Sequence, residues 1–180
     1  TGGNGSGKST FLRIAARLLC PTAGTVETRA DGALLSALAY QRHLAMVTPE
    51  MKLYPRLTAW ENVAFFLGLR GRTLYEADYE ALLSRVGLRA AVLQEKGVGA
   101  LSTGMVQRLK IAVLLGCEAD VWLLDEPGAN LDEAGRRMIR KEMTRGAAEG
   151  RLVLLATNDA GEEAEADEVI HLGADGAGAS

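Results

Sequence analysis

The chain has 180 residues and a mass of 19.1 kDa, with 20 basic against 23 acidic residues and a formal charge of -3; that is the size of one domain, or of a core carrying a modest inserted lobe. Its 48% hydrophobic content can bury a real core, while two cysteines, Cys20 and Cys117, suggest neither a disulfide scaffold nor a thiolate metal cluster. The near-balance of charge gives no sign of a nucleic-acid partner, and no run of about eighteen apolar residues offers a membrane span.

The first predicted element is a glycine-rich loop running into a helix. Gly2, Gly3, Asn4, Gly5, Ser6, Gly7, Lys8 and Ser9 match G-x-x-x-x-G-K-[ST], and Thr10 leads into the apolar run Phe11, Leu12, Ile14, Ala15, Leu18 and Leu19. Glycines at these positions let successive backbone N–H groups turn inward around a polyphosphate. Lys8 is placed to reach the β- and γ-phosphates, Ser9 to ligate Mg²⁺, and the helix N-terminus faces the anion. This favours a nucleoside triphosphate over a dinucleotide. A phosphate loop normally follows a buried strand, and none precedes Thr1. The expected fold is therefore an α/β P-loop NTPase core with a mostly parallel sheet, its N-terminal strands absent from this chain.

Cys20 to Gly24 reads as a stop and turn, Thr25 to Thr28 as a short strand, Asp31-Gly32 as a turn, and residues 34–43 as containing a short helix. Leu44 to Val47 has the density of a buried strand ending at Thr48-Pro49, so the loop through Glu50 to Thr58 lies where ligands of α/β proteins bind. Thr58 and Glu61 form a capping box for a helix from Ala59 to about Gly68, and a second helix is predicted over 74–86. Tyr54, Trp60 and Phe65 are read as packing residues. Residues 60–116 form a helical lobe inserted into a core made of 1–59 and 117–180.

Ser102, Thr103 and Gly104 stand at the N-terminus of the next helix, where free N–H groups can address a phosphate; an ordinary Ser-capped helix has the same pattern. The buried strand Val121 to Leu124 then delivers Asp125 and Glu126. Opposite a phosphate loop, Asp125 can hold Mg²⁺ through water while Glu126 polarises the attacking water. Asn130-Leu131-Asp132 turns into a helix over 133–149, whose arginines alternate with glutamates as on a solvated face. Leu152 to Ala156 is another buried strand, ending in Thr157-Asn158-Asp159. Glu162, Glu163, Glu165, Asp167 and Glu168 read as the exposed side of a helix, Val169 to Leu172 as a short final strand, His171 as structural or edge-exposed, and the Gly/Ala-rich end from Gly173 as frayed.

In this order the motifs resemble those of the nucleotide-binding subunit of an ATP-binding-cassette transporter. Gly2 to Ser9 resembles Walker A, Leu101 to Met105 the family signature, Val121 to Asp125 Walker B, and Ala129 to Asp132 the loop after it. The resemblance implies a head-to-tail pair of subunits sharing two ATP molecules with Mg²⁺, the phosphate loop of one facing Ser102, Thr103 and Gly104 of the other, with Asp132 at the same interface. It also implies an integral-membrane permease, contacted through the Glu50 loop and the helical lobe, and a peripheral place on the cytoplasmic face of a membrane. The wording of Leu101 to Met105 and Tyr54 to Thr58 looks most like ATPases that work with separate export-type permeases. Three departures stand out. Glu50 occupies a position where the family usually has Gln, Asn158 one where it usually has a switch His, and no upstream adenine-stacking aromatic is present. Glu126, Glu50 and Asn158 are the expected catalytic set, with Ser9, Asp125 and Glu50 toward the metal. Mg-dependent ATP hydrolysis coupled to transport is the leading expectation. ATP-driven closure without hydrolysis, and a soluble ATPase of this type in a non-transport complex, are the competing readings.

Overall fold

A computed structural model of the protein describes residues 1–93 and 96–173; the Gly/Ala-rich end beyond Gly173 lies outside the described residues. The centre of the fold is a parallel sheet of three strands, β3 (Leu44–Val47), β4 (Val121–Asp125) and β5 (Leu152–Ala156), in the order β3-β4-β5. The register pairs Val47 with Leu124 and Asp125 with Ala156, so all three strands end at one edge. That edge therefore collects the segments Thr48 to Glu50, Asp125 to Glu126 and Thr157 to Asn158. Every residue of β4 is buried, as expected of a central parallel strand covered on both faces.

The two-residue period of β4 separates two apolar layers. Trp122 and Leu124 join a large cluster with Val63, Leu83, Leu109 and Ile139, whereas Val121 and Leu123 join a smaller one with Leu12, Ala16 and Tyr40. The smaller layer is built by α1 (Lys8–Ala15) and α2 (Ala37–His43). The larger is built by α3 (Ala59–Gly68), α4 (Glu76–Arg85), α5 (Ala90–Leu93), α6 (Thr103–Gly116) and α7 (Glu133–Ala148). Helix α6 packs on α3 and α4 as well as on β3 and α7, so these helices and the sheet share one apolar cluster. The Thr58–Glu61 capping box is formed, with the Thr58 N–H donating to Glu61 Oε2 at 2.8 Å. On α7, Arg136, Arg137 and Arg140 pair with Glu133, and Arg145 with Glu149.

Several local expectations are corrected. Residues 25–28 are not a strand; instead β1 (Arg29–Ala30) and β2 (Ala33–Leu34) form a small antiparallel ribbon around Asp31-Gly32, both with positive φ. Helix α1 stops at Ala15, Arg17 turns left-handed at φ 56, and Leu18 and Leu19 stay exposed. Val169 to Leu172 is not a strand of its own. It makes one parallel rung with the first residue, the Thr1 amine donating to Ile170 O at 2.6 Å and the Leu172 N–H to Thr1 O at 2.8 Å. His171 Nδ1 lies 2.9 Å from Thr1 Oγ1 on the exposed edge. The acidic run does not form one exposed helical face: α8 (Ala160–Glu163) is a single turn, and Glu162 is buried. Trp60 packs edge-on to Tyr79 at 5.0 Å; Tyr54 and Phe65 also meet edge-on, at 4.9 Å, but remain exposed. Among the described residues no helix is long and apolar enough to cross a membrane.

Candidate nucleotide site

The glycine-rich loop enters α1 through Gly7, whose φ of 95° places the helix cap in the left-handed region. Gly2 is required for a different reason. A Cβ there would overlap the Leu172 carbonyl oxygen and lie 2.6 Å from Ser6 Oγ. Lys8 is buried, and its ammonium donates to the loop's own carbonyls, Gly2 O at 2.6 Å and Gly3 O at 3.0 Å. The Lys8 charge thus sits inside the ring of the loop. Ser6 Oγ is buried without a partner in the same ring.

Across from the loop, β4 ends in two acids in different conditions. Asp125 is 3% exposed, and its carboxylate makes no hydrogen bond or ion pair among the described residues. Its carboxylate oxygens are not among the unpaired atoms shut off from solvent, so water or a cation with its water shell can reach them at the end of the strand. Glu126 adopts φ 45, a left-handed conformation that costs a non-glycine residue roughly 1–2 kcal/mol. Its N–H donates to Ala156 O at 2.8 Å, which continues the ladder and aims the side chain out of the sheet edge. The strain lies at the residue expected to handle the attacking water, where such strain concentrates. Asn158 meets it there: the Asn158 amide donates to Glu126 Oε1 at 3.3 Å and to Asn4 Oδ1 at 2.9 Å.

Glu50 stands apart from this group. It is exposed and accepts from Arg13 of α1 at 2.8 Å. Its carboxyl is held below the usual range, mainly by its own backbone N–H and the Thr48 hydroxyl, with Arg13 contributing. The signature residues also lie apart from the phosphate loop. Ser102 caps α6, accepting from the Met105 N–H at 3.3 Å, and Gly104 faces Asn130 and Leu131. No hydrogen bond or ion pair joins residues 102–104 to residues 2–9 among the described residues. Asp132 caps α7 through the Gly135 N–H at 2.8 Å and accepts from Arg108 at 3.0 Å; those two contacts, the first the larger, hold its carboxyl low.

Four supporting residues escaped the sequence reading. Gln107 of α6 donates to Pro127 O at 2.8 Å, holding the segment just after Glu126. Arg108 ties Val86 O, at the end of α4, to Asp132. Lys110, also on α6, donates to Thr48 O at 3.3 Å and Pro49 O at 3.4 Å. Glu162 accepts from Thr157 Oγ1 at 2.5 Å, and burial pushes its carboxyl pKa up. Only the Gln107-Arg108-x-Lys110 polarity within an apolar helix hinted at any of them.

Residues 1–129 match the protein-family model described as ABC transporter. This chain belongs to the ABC transporter family. It is an ATP-binding and ATP-hydrolysing subunit of that family, acting with a permease. It is 37% identical over 157 residues to the cytochrome c biogenesis ATP-binding export protein CcmA of Rhodopseudomonas palustris (strain BisB5), covering 87% of this chain and 75% of that relative. The corresponding protein of Salmonella typhi is 34% identical over 179 residues, covering 99% of this chain and 83% of the relative. Among solved structures, the dimeric bacterial ABC transporter cassette MJ0796 superposes with a TM-score of 0.82 at 27% identity, covering 96% of this chain and 78% of the other. The same cassette in a post-hydrolysis dimer with ADP and phosphate gives 0.81 at 27% identity, covering 95% and 78%.

Proposed function

We propose that this chain is the ATPase subunit of an export-type transporter with a separate permease, that it hydrolyses ATP with Mg²⁺, and that each site is completed by a second nucleotide-binding subunit. In this reading residues 1–59 and 117–180 are the ATPase core and 60–116 the lobe that carries the signature. Gly2, Gly3, Asn4, Gly5, Ser6, Gly7, Lys8, Ser9 and Thr10 hold the phosphates. Ser102, Thr103, Gly104 and Asp132 of the opposite subunit close over them. The exposure of Ser102, Thr103 and Asp132 supports that assignment, since these polar groups are left facing outward. The dimers of the cassette relatives support it too.

Among the described residues no three His, Cys, Asp or Glu side chains form a metal cluster. That suits Mg²⁺, which keeps its waters and takes one or two protein oxygens beside substrate phosphates. Ser9 and Asp125 are the residues that would hold it, with Glu50 reaching it on a swing of its side chain. The ion would supply charge neutralisation to the transferring phosphoryl group. Lys8 exchanges its bonds to Gly2 O and Gly3 O for phosphate oxygens. Glu126 orients and polarises water, and Asn158 fixes the Glu126 carboxylate against the phosphate loop through Asn4. The Asn158 bridge between Glu126 and Asn4 is the observation that carries this reading.

The permease face is proposed at the Glu50 loop and the lobe. Tyr54 and Phe65 are exposed there, and a separate cleft is lined by Thr58, Trp60, Glu76, Tyr79, Glu80 and Leu93. The names of the CcmA relatives support the export-type assignment. Nucleic acid is not the expected partner, because the arginines of α7 are tied to Glu133 and Glu149.

Phosphate release by the chain with its partner subunits tests the catalytic assignment. Glu126→Gln is expected to lower turnover by roughly 10²–10³, the cost of losing one transition-state contact. An unchanged rate removes Glu126 from the mechanism. A second reading, closure on ATP with impaired hydrolysis, draws on the Arg13–Glu50 pair, which holds the Glu50 carboxylate away from the metal until it is displaced. Tight ATP-dependent dimerisation with no phosphate release above a Lys8→Ala control would establish it instead.

A further inference from the structure

The Glu50 loop is gripped from two sides. From α1, Arg13 pairs with the Glu50 carboxylate at 2.8 Å. From α6, the buried ammonium of Lys110 reaches the carbonyl oxygens of Thr48 and Pro49, the two residues that precede Glu50. We propose that Arg13 is a positioning residue that parks the Glu50 carboxylate one helical turn from Ser9, in competition with the divalent ion of the nucleotide site, while Lys110 anchors the backbone about which that side chain swings. This inference rests on the proposed placing of Mg²⁺ at Ser9 and Asp125.

Ser9 and Arg13 are four residues apart in α1, so they share a face and their Cβ atoms are about 5–6 Å apart. A carboxylate bound to Arg13 is therefore close to the metal side of the loop, yet already committed to a cation. Both partners are largely exposed, at 40% and 63% of the side chain. An exposed pair of this kind is weak and screened, so a divalent ion can displace the guanidinium. Lys110 differs: it is 7% exposed and bonds main-chain oxygens, which do not leave when a side chain moves. Burial pushes its ammonium pKa down, and the field of Glu50 opposes that shift. The loop is thus fixed at its backbone by the signature helix, while its carboxylate is held only by exposed contacts with Arg13, the Thr48 hydroxyl and its own N–H, which a divalent ion can replace. That connection gives the lobe a hold on the residue that would answer nucleotide at the core.

The test is a double-mutant cycle on the full chain. The melting temperature is followed at fixed ATP while Mg²⁺ is titrated from an EDTA baseline, so that the readout does not depend on turnover. Arg13→Gln is expected to lower the Mg²⁺ half-saturation by roughly two- to fivefold when Glu50 is present. It should do nothing in a Glu50→Gln background, and Arg13→Lys should restore most of the native value. An equal shift in both backgrounds, or none in either, overturns the proposal, since the charge of Arg13 would then act on the phosphates or on the fold alone. A native chain that shows no rise in melting temperature with ATP and Mg²⁺ overturns the nucleotide reading itself, an outcome distinct from additive mutants on a responsive protein.

Discussion

The interior of the lobe and the open edge of the sheet are made by opposite rules. In the lobe, α3, α4 and α6 bury Val63, Leu83 and Leu109 to 1% exposure or less, and the polar residues that enter find partners. Asn62 shows how complete that satisfaction is: its side chain accepts from Tyr54 N–H and donates to the carbonyls of Tyr54, Leu57 and Thr58. At the sheet edge the rules fail together. The Asp125 carboxylate has no protein partner among the described residues, Glu126 is left-handed, Ser6 Oγ is buried and unpaired, and Lys8 bonds only the loop that it fills. Ser6 Oγ and the Asp125 carboxylate lie where a ligand can answer them, whereas the packed interior of α3, α4 and α6 contributes stability.

If that division holds, substitutions in the two regions should separate stability from nucleotide chemistry. The largest effect is expected from Leu109→Ala, which opens a cavity in the shared core. It should cost about 2–5 kcal/mol in urea unfolding and leave ATP affinity unchanged in the folded fraction. Lys8→Ala should do the reverse. Losing charge-assisted bonds to phosphate should weaken ATP binding by roughly 10- to 150-fold by nucleotide fluorescence, with a far smaller change in the urea midpoint.

A finer distinction comes from Asn158. Asn158→Ala removes the bridge from Glu126 to Asn4 and should slow phosphate release by about 3- to 10-fold. Asn158→His restores a donor but adds a group titrating near about pH 6.5, so the rate should acquire a pH step that the native protein lacks.

The smallest effect concerns Glu162, an acid at the sheet edge with the burial of a lobe residue. Its folded-state pKa is raised above the ordinary value of 4.5 by burial. The folded state therefore holds this proton more tightly than the unfolded chain, and stability falls as pH rises from 4.5 through the raised value. Glu162→Gln should flatten that part of the urea-midpoint profile and stabilise the protein near neutral pH. An unchanged slope would place the carboxyl in contact with solvent.

Residues close in the chain carried the clearest signals. The glycine spacing before Lys8-Ser9, the Thr58-x-x-Glu61 box and the apolar run into Asp125-Glu126 each depend on contacts within a few residues, which composition and period encode directly. Errors arose where neighbours could not decide. Glu162 sits in a run of acids that reads as solvated, yet the strand end at Thr157 and the glycine at 128 enclose it. Leu18 and Leu19 continue an apolar pattern past the point where Arg17 breaks the helix.

By itself the sequence determined the family, the phosphate loop, the acids of β4 and the order of the elements, because these follow from local spacing and from which faces must be buried. Tertiary structure alone decided which polar groups meet. Asn158 reaches Asn4 across 154 positions and Lys110 reaches Thr48 across 62. Such pairings follow from strand register and helix packing, which bring the three strand ends to one edge and lay α6 beside the loop after β3.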